Sequence, residues 1–269
     1  MNLSSIQQKY GPWAVVTGAS SGIGLEFCHQ LASAKINLIL VARRTHILQE
    51  LGEYLSDKYG ISYRVVSGDI GKPEVIDQIK YLGSKLEIGL LVSNAGTGNP
   101  GEFIHKEESQ LLHTVQTSVV GHLQLSRFFG QKMASRKKGG IVLVSAMGAD
   151  HGLPFMANDA GTRAYIRSLG LGLHEELKRY QVDVTVLITS PTETPIVKEL
   201  GFQPEKMPSK PISTTQCVEE TLAALMKNKT TIIPGRLYRT MNALIPKRVS
   251  RKLFAKMLAE GNNIPLKVT

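Results

Sequence analysis

The octapeptide Thr17-Gly18-Ala19-Ser20-Ser21-Gly22-Ile23-Gly24 lies between the apolar run Trp13-Ala14-Val15-Val16 and a helix-like segment beginning near Leu25. Residues of this type at this spacing can hold a phosphate. Glycines let the backbone turn sharply and approach an anion closely, and the following helix presents unpaired N–H groups and the positive end of its dipole. The same spacing also suits a plain strand-to-helix turn, so the context matters. A second apolar run, Ile36 to Ala42, ends in Arg43-Arg44. In a dinucleotide fold, an acid at about this distance beyond the loop accepts hydrogen bonds from the ribose of NAD, whereas arginine accommodates the 2′-phosphate of NADP. With two arginines and no acid there, the sequence predicts NADP(H).

Elements that could position these groups follow in a regular order. Segments at Trp13–Val16, Ile36–Ala42, Tyr63–Ser67, Gly89–Ser93, Ile141–Ala146 and Val182–Thr189 read as strands, the almost continuously apolar Ile36–Ala42 as a buried one. Helical patterns separate them, among them Leu25–Ala34, Thr45–Tyr59 and Pro73–Leu86. Strands alternating with helices of this length imply βαβ units and a parallel sheet covered on both faces. The predicted fold is a single α/β domain, a doubly wound parallel sheet of the Rossmann type over residues 1–235. Ligands of such sheets bind at the carboxyl ends of the strands, where the glycine-rich turns fall.

The 269-residue chain needs no second domain. No apolar run reaches the length of about 18 residues that a membrane span requires. Met1 to Gly11 is polar, without the apolar region of a secretory signal, and Cys28 and Cys217 stand far apart. A cytoplasmic protein with reduced thiols is expected. The seven histidines show no metal-ligand spacing, so no metal is expected. The net charge of +10 is concentrated late: nine basic residues and no acid lie between Lys227 and Lys256. Leu237–Ile245 and Val249–Leu258 mix these cations with apolar residues at helical spacing. That pattern suits helices covering the sheet edge with a solvated basic face, or a segment lying peripherally on an anionic membrane or acidic partner. No nucleic-acid partner is expected, since nothing beyond charge supports one. Residues 236–269 are read as a basic helical extension.

Three motifs in order carry a family resemblance: Thr17–Gly24, Asp69-Ile70 after the third strand, and Asn94-Ala95-Gly96 after the fourth. The chain resembles the short-chain dehydrogenases/reductases, and Val41-Ala42-Arg43-Arg44 is similar to their NADP-preferring members. The resemblance implies that Asp69 bonds the adenine amine and that Asn94 steadies the sheet beside the cofactor. It also implies that Thr194 contacts the nicotinamide amide or pyrophosphate. It implies a homo-oligomer formed through the helices that hold Ser118 and Asp159.

Members of that family use a serine, a tyrosine and a lysine, with an asparagine on an earlier helix. Ungapped placement of this chain puts Asp159 at the tyrosine, Arg163 at the lysine, Ala146 at the serine and Ser118 at the asparagine. Ser145 is one residue off and faces the other way, and Tyr165 lies about 120° around the helix from the required face. An ionised Asp159, favoured further by Arg163, accepts hydrogen bonds only and makes a poor general acid. Arg163 cannot share a proton near neutrality. The two residues read either as ligand-binding groups or as a surface i,i+4 ion pair. His151, in the loop that lines the substrate pocket by resemblance, is either an acid/base or an exposed loop residue. The segment around 190–212, with its four prolines from Pro195 to Pro211, reads as a substrate lid or a surface connection. The expectation is an NADP(H)-binding protein with an unidentified small-molecule ligand, its standard redox chemistry lost or altered, in a binding, sensing or scaffold role. The alternative is an active oxidoreductase, or a non-redox lyase or isomerase, working through Asp159, Arg163 or His151.

Overall fold

Strands apolar at consecutive positions bury side chains on both faces, so helices must cover the sheet above and below. The structure, a computed structural model, describes residues 3–265 except 204, 206 and 208. Its strands are β1 (Trp13–Thr17), β2 (Asn37–Ala42), β3 (Tyr63–Ser67), β4 (Ile88–Ser93), β5 (Gly139–Ala146), β6 (Val182–Thr189) and β7 (Thr231–Ile232). They form one parallel sheet in the order β3-β2-β1-β4-β5-β6-β7. Along β1, Ala14 and Val16 enter one apolar layer while Trp13 and Val15 enter the other. Helices α2 (Gly22–Ser33), α3 (Thr45–Tyr59) and α9 (Thr214–Met226) fill the first layer. Helices α4 (Pro73–Lys85), α6 (Gly121–Ser135) and α7 (Ala157–Lys178) fill the second. The expected doubly wound sheet is thus present, and the strand order reverses between β1 and β4, where such sheets open a crevice.

Three other helices bear on the site. Helix α5 (Glu108–Val115) runs through a π-helical turn, Gln116–Val120, into α6. Helix α8 (Pro195–Glu199) opens the predicted lid, of which Pro204, Lys206 and Pro208 lie outside the described residues. The basic extension forms α10 (Arg236–Leu244) and α11 (Lys247–Gly261). These two pack on the lid segment: the Tyr238 hydroxyl lies 3.1 Å from the Ser209 and Lys210 carbonyls, and Asn262 Nδ2 donates to the Leu200 carbonyl at 3.0 Å. Among the described residues no helix is long and apolar enough to cross a membrane.

The polar N-terminal stretch hides a helix, α1 (Leu3–Tyr10). Ile6 and Tyr10 are its fully buried anchors. The Tyr10 hydroxyl donates to Asp183 Oδ2 at 2.7 Å and reaches the Leu225 carbonyl at 3.0 Å, while Lys9 pairs with the same Asp183 at 2.6 Å. Burial, then the Asp183 carboxylate, push the Tyr10 phenol far above its ordinary pKa. Tyr10→Phe removes a buried donor but leaves Asp183 paired with Lys9. Urea unfolding should show a loss of about 1–2 kcal/mol with an unchanged m-value.

Candidate functional site

The glycine loop runs from the end of β1 to the start of α2 and faces the crevice. Gly18 has φ +71°, and a Cβ there would lie 2.7 Å from Asn94 Nδ2. Only a residue without a side chain lets the loop nest against the β4 turn. Ser21 caps α2 in extended conformation without a side-chain bond to the helix, which leaves the first-turn N–H groups directed at the crevice. Ser20, Arg43 and Arg44 form the open end. Arg44 Nη2 donates to Ser20 Oγ at 2.9 Å and to the Ser20 carbonyl at 3.1 Å, and both arginines are exposed where the cleft meets the Ser20 loop. Ile23 and Thr194 line the inner part, Thr194 standing over Gly22 and bonding the Thr192 carbonyl at 3.3 Å. This cradle fits a dinucleotide phosphate: close backbone, free N–H groups and two cations at the rim.

Asn94, Ala95 and Gly96 form the opposite wall. Thr17 fixes them. Its Oγ1 accepts the N–H groups of Asn94 and Ala95 at 2.9 and 3.0 Å, and Asn94 Nδ2 returns a bond to the Thr17 carbonyl at 3.0 Å. Asp69 is held by three donors: Gly71 N–H at 2.8 Å, Thr117 Oγ1 at 2.9 Å and His113 Nε2 at 2.6 Å. Burial alone would raise its pKa, but those bonds together lower it, so Asp69 stays an anion. Ile70 lines the cleft with it and packs into the core.

The inner cleft brings Ala146, Asp159 and Arg163 together, as placement on α7 and at the end of β5 predicts. Their state differs from the expectation in two ways. Asp159 is only 6% exposed and its Oδ1 has no hydrogen-bond partner. Burial pushes its pKa up, against the lowering effects of Arg163 and the Asn99 N–H, so the carboxyl keeps its proton to a higher pH than an exposed aspartate does. Nor is the pair a surface ion bridge. Arg163 instead donates from Nη1 to the Val144 carbonyl at 2.9 Å, and its guanidinium lies so close to Gly96 that a Cβ there would collide with it. Ala146 brings no hydroxyl to the cleft, and Ser145 spends its own on the Arg163 carbonyl at 2.8 Å. Tyr165 is exposed and does not line the cleft, as helical phase predicts.

Two proposed catalytic residues are not brought in. Ser118 is fully buried within the π-helical turn, with its Oγ unpartnered, and its neighbour Thr117 reaches the cleft instead. The extra residue of a π turn shifts the side chains around it, so placement on the family's asparagine position does not by itself set the direction of Ser118. His151 lines a separate apolar cavity beneath α10 and α11, beyond Met147. The loop that carries it turns away after β5, so it does not meet Asp159.

His122 escaped the sequence reading. Its Nε2–H donates to the Ala95 carbonyl at 2.7 Å, and its Nδ1 accepts from Ser93 at 2.9 Å. A carbonyl can only accept, which fixes the tautomer. Burial, followed by the Arg163 charge, pushes its pKa down to about 4, so it is a neutral brace under the Asn94 turn. Helical spacing marks it as core-facing but cannot disclose that partner.

Comparison with known proteins agrees with this geometry. The family described as short chain dehydrogenase matches residues 12–205. The very-long-chain 3-oxoacyl-CoA reductase of Podospora anserina is 33% identical over 186 residues, 67% of this chain and 55% of that protein. The reductase of the same description from Pyricularia oryzae is 34% identical over 193 residues, 70% of this chain and 58% of that protein. The chain thus spans little more than half the length of these relatives. The 7beta-hydroxysteroid dehydrogenase of Mediterraneibacter gnavus is 28% identical over 191 residues, 71% of this chain and 73% of that protein. Among solved structures, one concerning 7beta-hydroxysteroid dehydrogenase stereoselectivity superimposes with a TM-score of 0.84 at 22% identity, covering 94% of this chain and 99% of that one. A short-chain dehydrogenase from Sphingobium yanoikuyae in complex with NADPH gives 0.78 at 21% identity, covering 96% and 98%. The chain belongs to the short-chain dehydrogenase family.

Proposed function

We propose that the protein is an NADP(H)-dependent oxidoreductase whose proton donor is the carboxyl group of Asp159. The observation that carries this reading is a buried carboxyl, raised in pKa and with one oxygen unpartnered, in the same cleft as the phosphate loop. Bound NADPH supplies a hydride to a carbonyl carbon. Ser21, Gly22 and the start of α2 would hold its pyrophosphate, and Arg43 and Arg44 its 2′-phosphate. Asp159 then holds the proton that the resulting alkoxide takes up. An aspartic acid is shorter than a phenol, so the substrate oxygen, or one water, has to come nearer the helix. Arg163 stays cationic and steadies the Gly96 turn and the negative charge developing beside it. The relatives' names, reductases of 3-oxoacyl-CoA and a hydroxysteroid dehydrogenase, support carbonyl and alcohol chemistry for the substrate.

A second reading, nucleotide binding without turnover, is favoured by Ala146 and by the engagement of Ser145 with α7. Steady-state assays separate the two. The oxidoreductase reading requires NADPH consumption with ketones or 3-oxoacyl thioesters. Tight NADPH binding with no consumption of any of them would leave only the second.

Asp159→Asn keeps the shape and removes the proton. A fall in kcat of about 10²- to 10⁴-fold, with NADPH affinity unchanged, is expected. The sign of the pH dependence follows from the raised pKa. The neutral carboxyl is the donor, so kcat is highest at low pH and declines as pH rises through the pKa of Asp159. The same carboxyl contributes stability that is complete below the unfolded aspartate pKa and lost as pH climbs through the raised folded one, so Asp159→Asn should melt higher than wild type at pH 7. A flat kcat profile, or full activity in the variant, removes Asp159 from the chemistry.

Replacing both Arg43 and Arg44 with alanine should weaken NADPH binding about 10- to 100-fold and leave NADH binding nearly unchanged, since charge-assisted bonds to the 2′-phosphate are lost. Titration of cofactor fluorescence reads both constants. Equal losses for the two cofactors would place the 2′-phosphate elsewhere.

A further inference from the structure

The two helices of the basic extension each have an inner and an outer face. Tyr238 on α10 and Leu258 and Ala259 on α11 are buried against the body of the protein. Glu220 on α9 fixes α10 there, pairing with Arg239 and accepting the Gly235 N–H at 3.2 Å. Phe254 meets Phe202 edge to face with 6.2 Å between ring centroids, which holds α11 against the lid segment. The outer faces are therefore preformed surfaces of the folded chain.

Those outer faces are apolar and cationic together. Leu244 ends α10 at 74% exposure, and Val249 opens α11 at 55%, on either side of the turn at Ile245-Pro246. Leu253 is also exposed and lies about 40° from Val249 around α11, on the side turned away from Leu258. A single exposed leucine is ordinary on a protein surface, but large apolar side chains grouped with cations mark a contact. Arg248, Arg251 and Lys252 stand exposed beside them, and among the described residues none of the three is paired with an acid. Lys247 and Lys256 are only loosely engaged, 3.9 Å from Asp150 and 3.7 Å from Glu260. An acidic protein would answer the cations and leave the leucines unexplained. A bilayer of anionic phospholipid answers both, with phosphates at its surface and acyl chains just beneath.

We infer that the outer faces of α10 and α11, centred on the turn between Leu244 and Val249, dock on an anionic phospholipid bilayer. Leu244, Val249 and Leu253 enter the acyl boundary, and Arg248, Arg251 and Lys252 meet lipid phosphates. The chain lies on the membrane through these helices, neither of which is long and apolar enough to cross it. The surface is outside the nucleotide cleft and does not depend on turnover. It brings lipid beside the lid, because Tyr238 and Asn262 of the same extension hold the lid segment at Ser209 and Leu200.

Co-sedimentation of the full-length protein with phosphatidylcholine vesicles, with and without phosphatidylglycerol, tests the proposal. Sedimentation with the anionic vesicles only, weakening as salt rises, is the expected result. Arg248→Glu combined with Lys252→Glu should weaken it by about 10-fold or more, because two attractive charges become repulsive. Leu244→Ser combined with Val249→Ser should weaken it by about 10-fold at constant charge. Unchanged NADPH affinity checks that each double variant is folded. Leu244→Trp should emit at shorter wavelength with the anionic vesicles and be quenched by brominated lipid. Trp13, the chain's one native tryptophan, is buried, so the change reports position 244. Failure to sediment with anionic vesicles, or a tryptophan at 244 that brominated lipid does not quench, would overturn the site. Serine variants that bind as wild type does would overturn it as well, since adsorption by charge alone points to an acidic macromolecule instead.

Discussion

The cleft depends on one side-chain hydroxyl. Thr17 ends β1, and its Oγ1 takes the two N–H groups with which the chain leaves β4. Where a parallel sheet reverses its strand order, the two central strands diverge, and nothing in the ladder itself fixes the turns above them. The Thr17–Asn94 clasp does so from one side, and His122 does so from beneath through the Ala95 carbonyl. With the Asn94 turn fixed, the Gly18 loop has a surface to lie against, and Arg163 can approach Gly96 without strain.

Much of this could be read directly from the residues. The strands at Tyr63–Ser67 and Val182–Thr189 and the helix at Thr45–Tyr59 have the predicted bounds, because clusters of β-branched residues and helical apolar spacing are local signals. The phosphate loop was legible for the same reason: its chemistry is that of the backbone, and glycine spacing reports backbone directly. Helix α1 was not, since its polar composition gives no sign that Ile6 and Tyr10 find a buried place at the base of the sheet. Ser118 and His151 were misplaced by different physical causes. A π-helical turn changes the phase of one, and a loop path that residue types do not encode carries the other away. The charge state of Asp159 depends on burial, which is a property of the assembled fold.

Asp159 and Arg163 illustrate how a fixed spacing can hold different chemistry. Four residues apart on α7, they share a face: Arg163 hydrogen-bonds the Val144 carbonyl, while Asp159 answers first to burial, then to the Arg163 charge and the Asn99 N–H. Attraction between the two lowers the acid's pKa less than desolvation raises it. A carboxyl whose pKa burial raises beside a cation is the kind of environment in which a titratable group acquires a role.

Helix α1 has a consequence for how the chain is made. Tyr10 is joined to Asp183 and Leu225, 173 and 215 residues further on. A ribosome adding about 5–20 residues per second delivers Asp183 on the order of 10 s after Tyr10. Through that interval helix α1 has no Asp183 to bind, and Ile6 and Tyr10 lack part of their seat. Helix α1 is therefore fastened only after β6 and α9, which follow it along the chain, have been made.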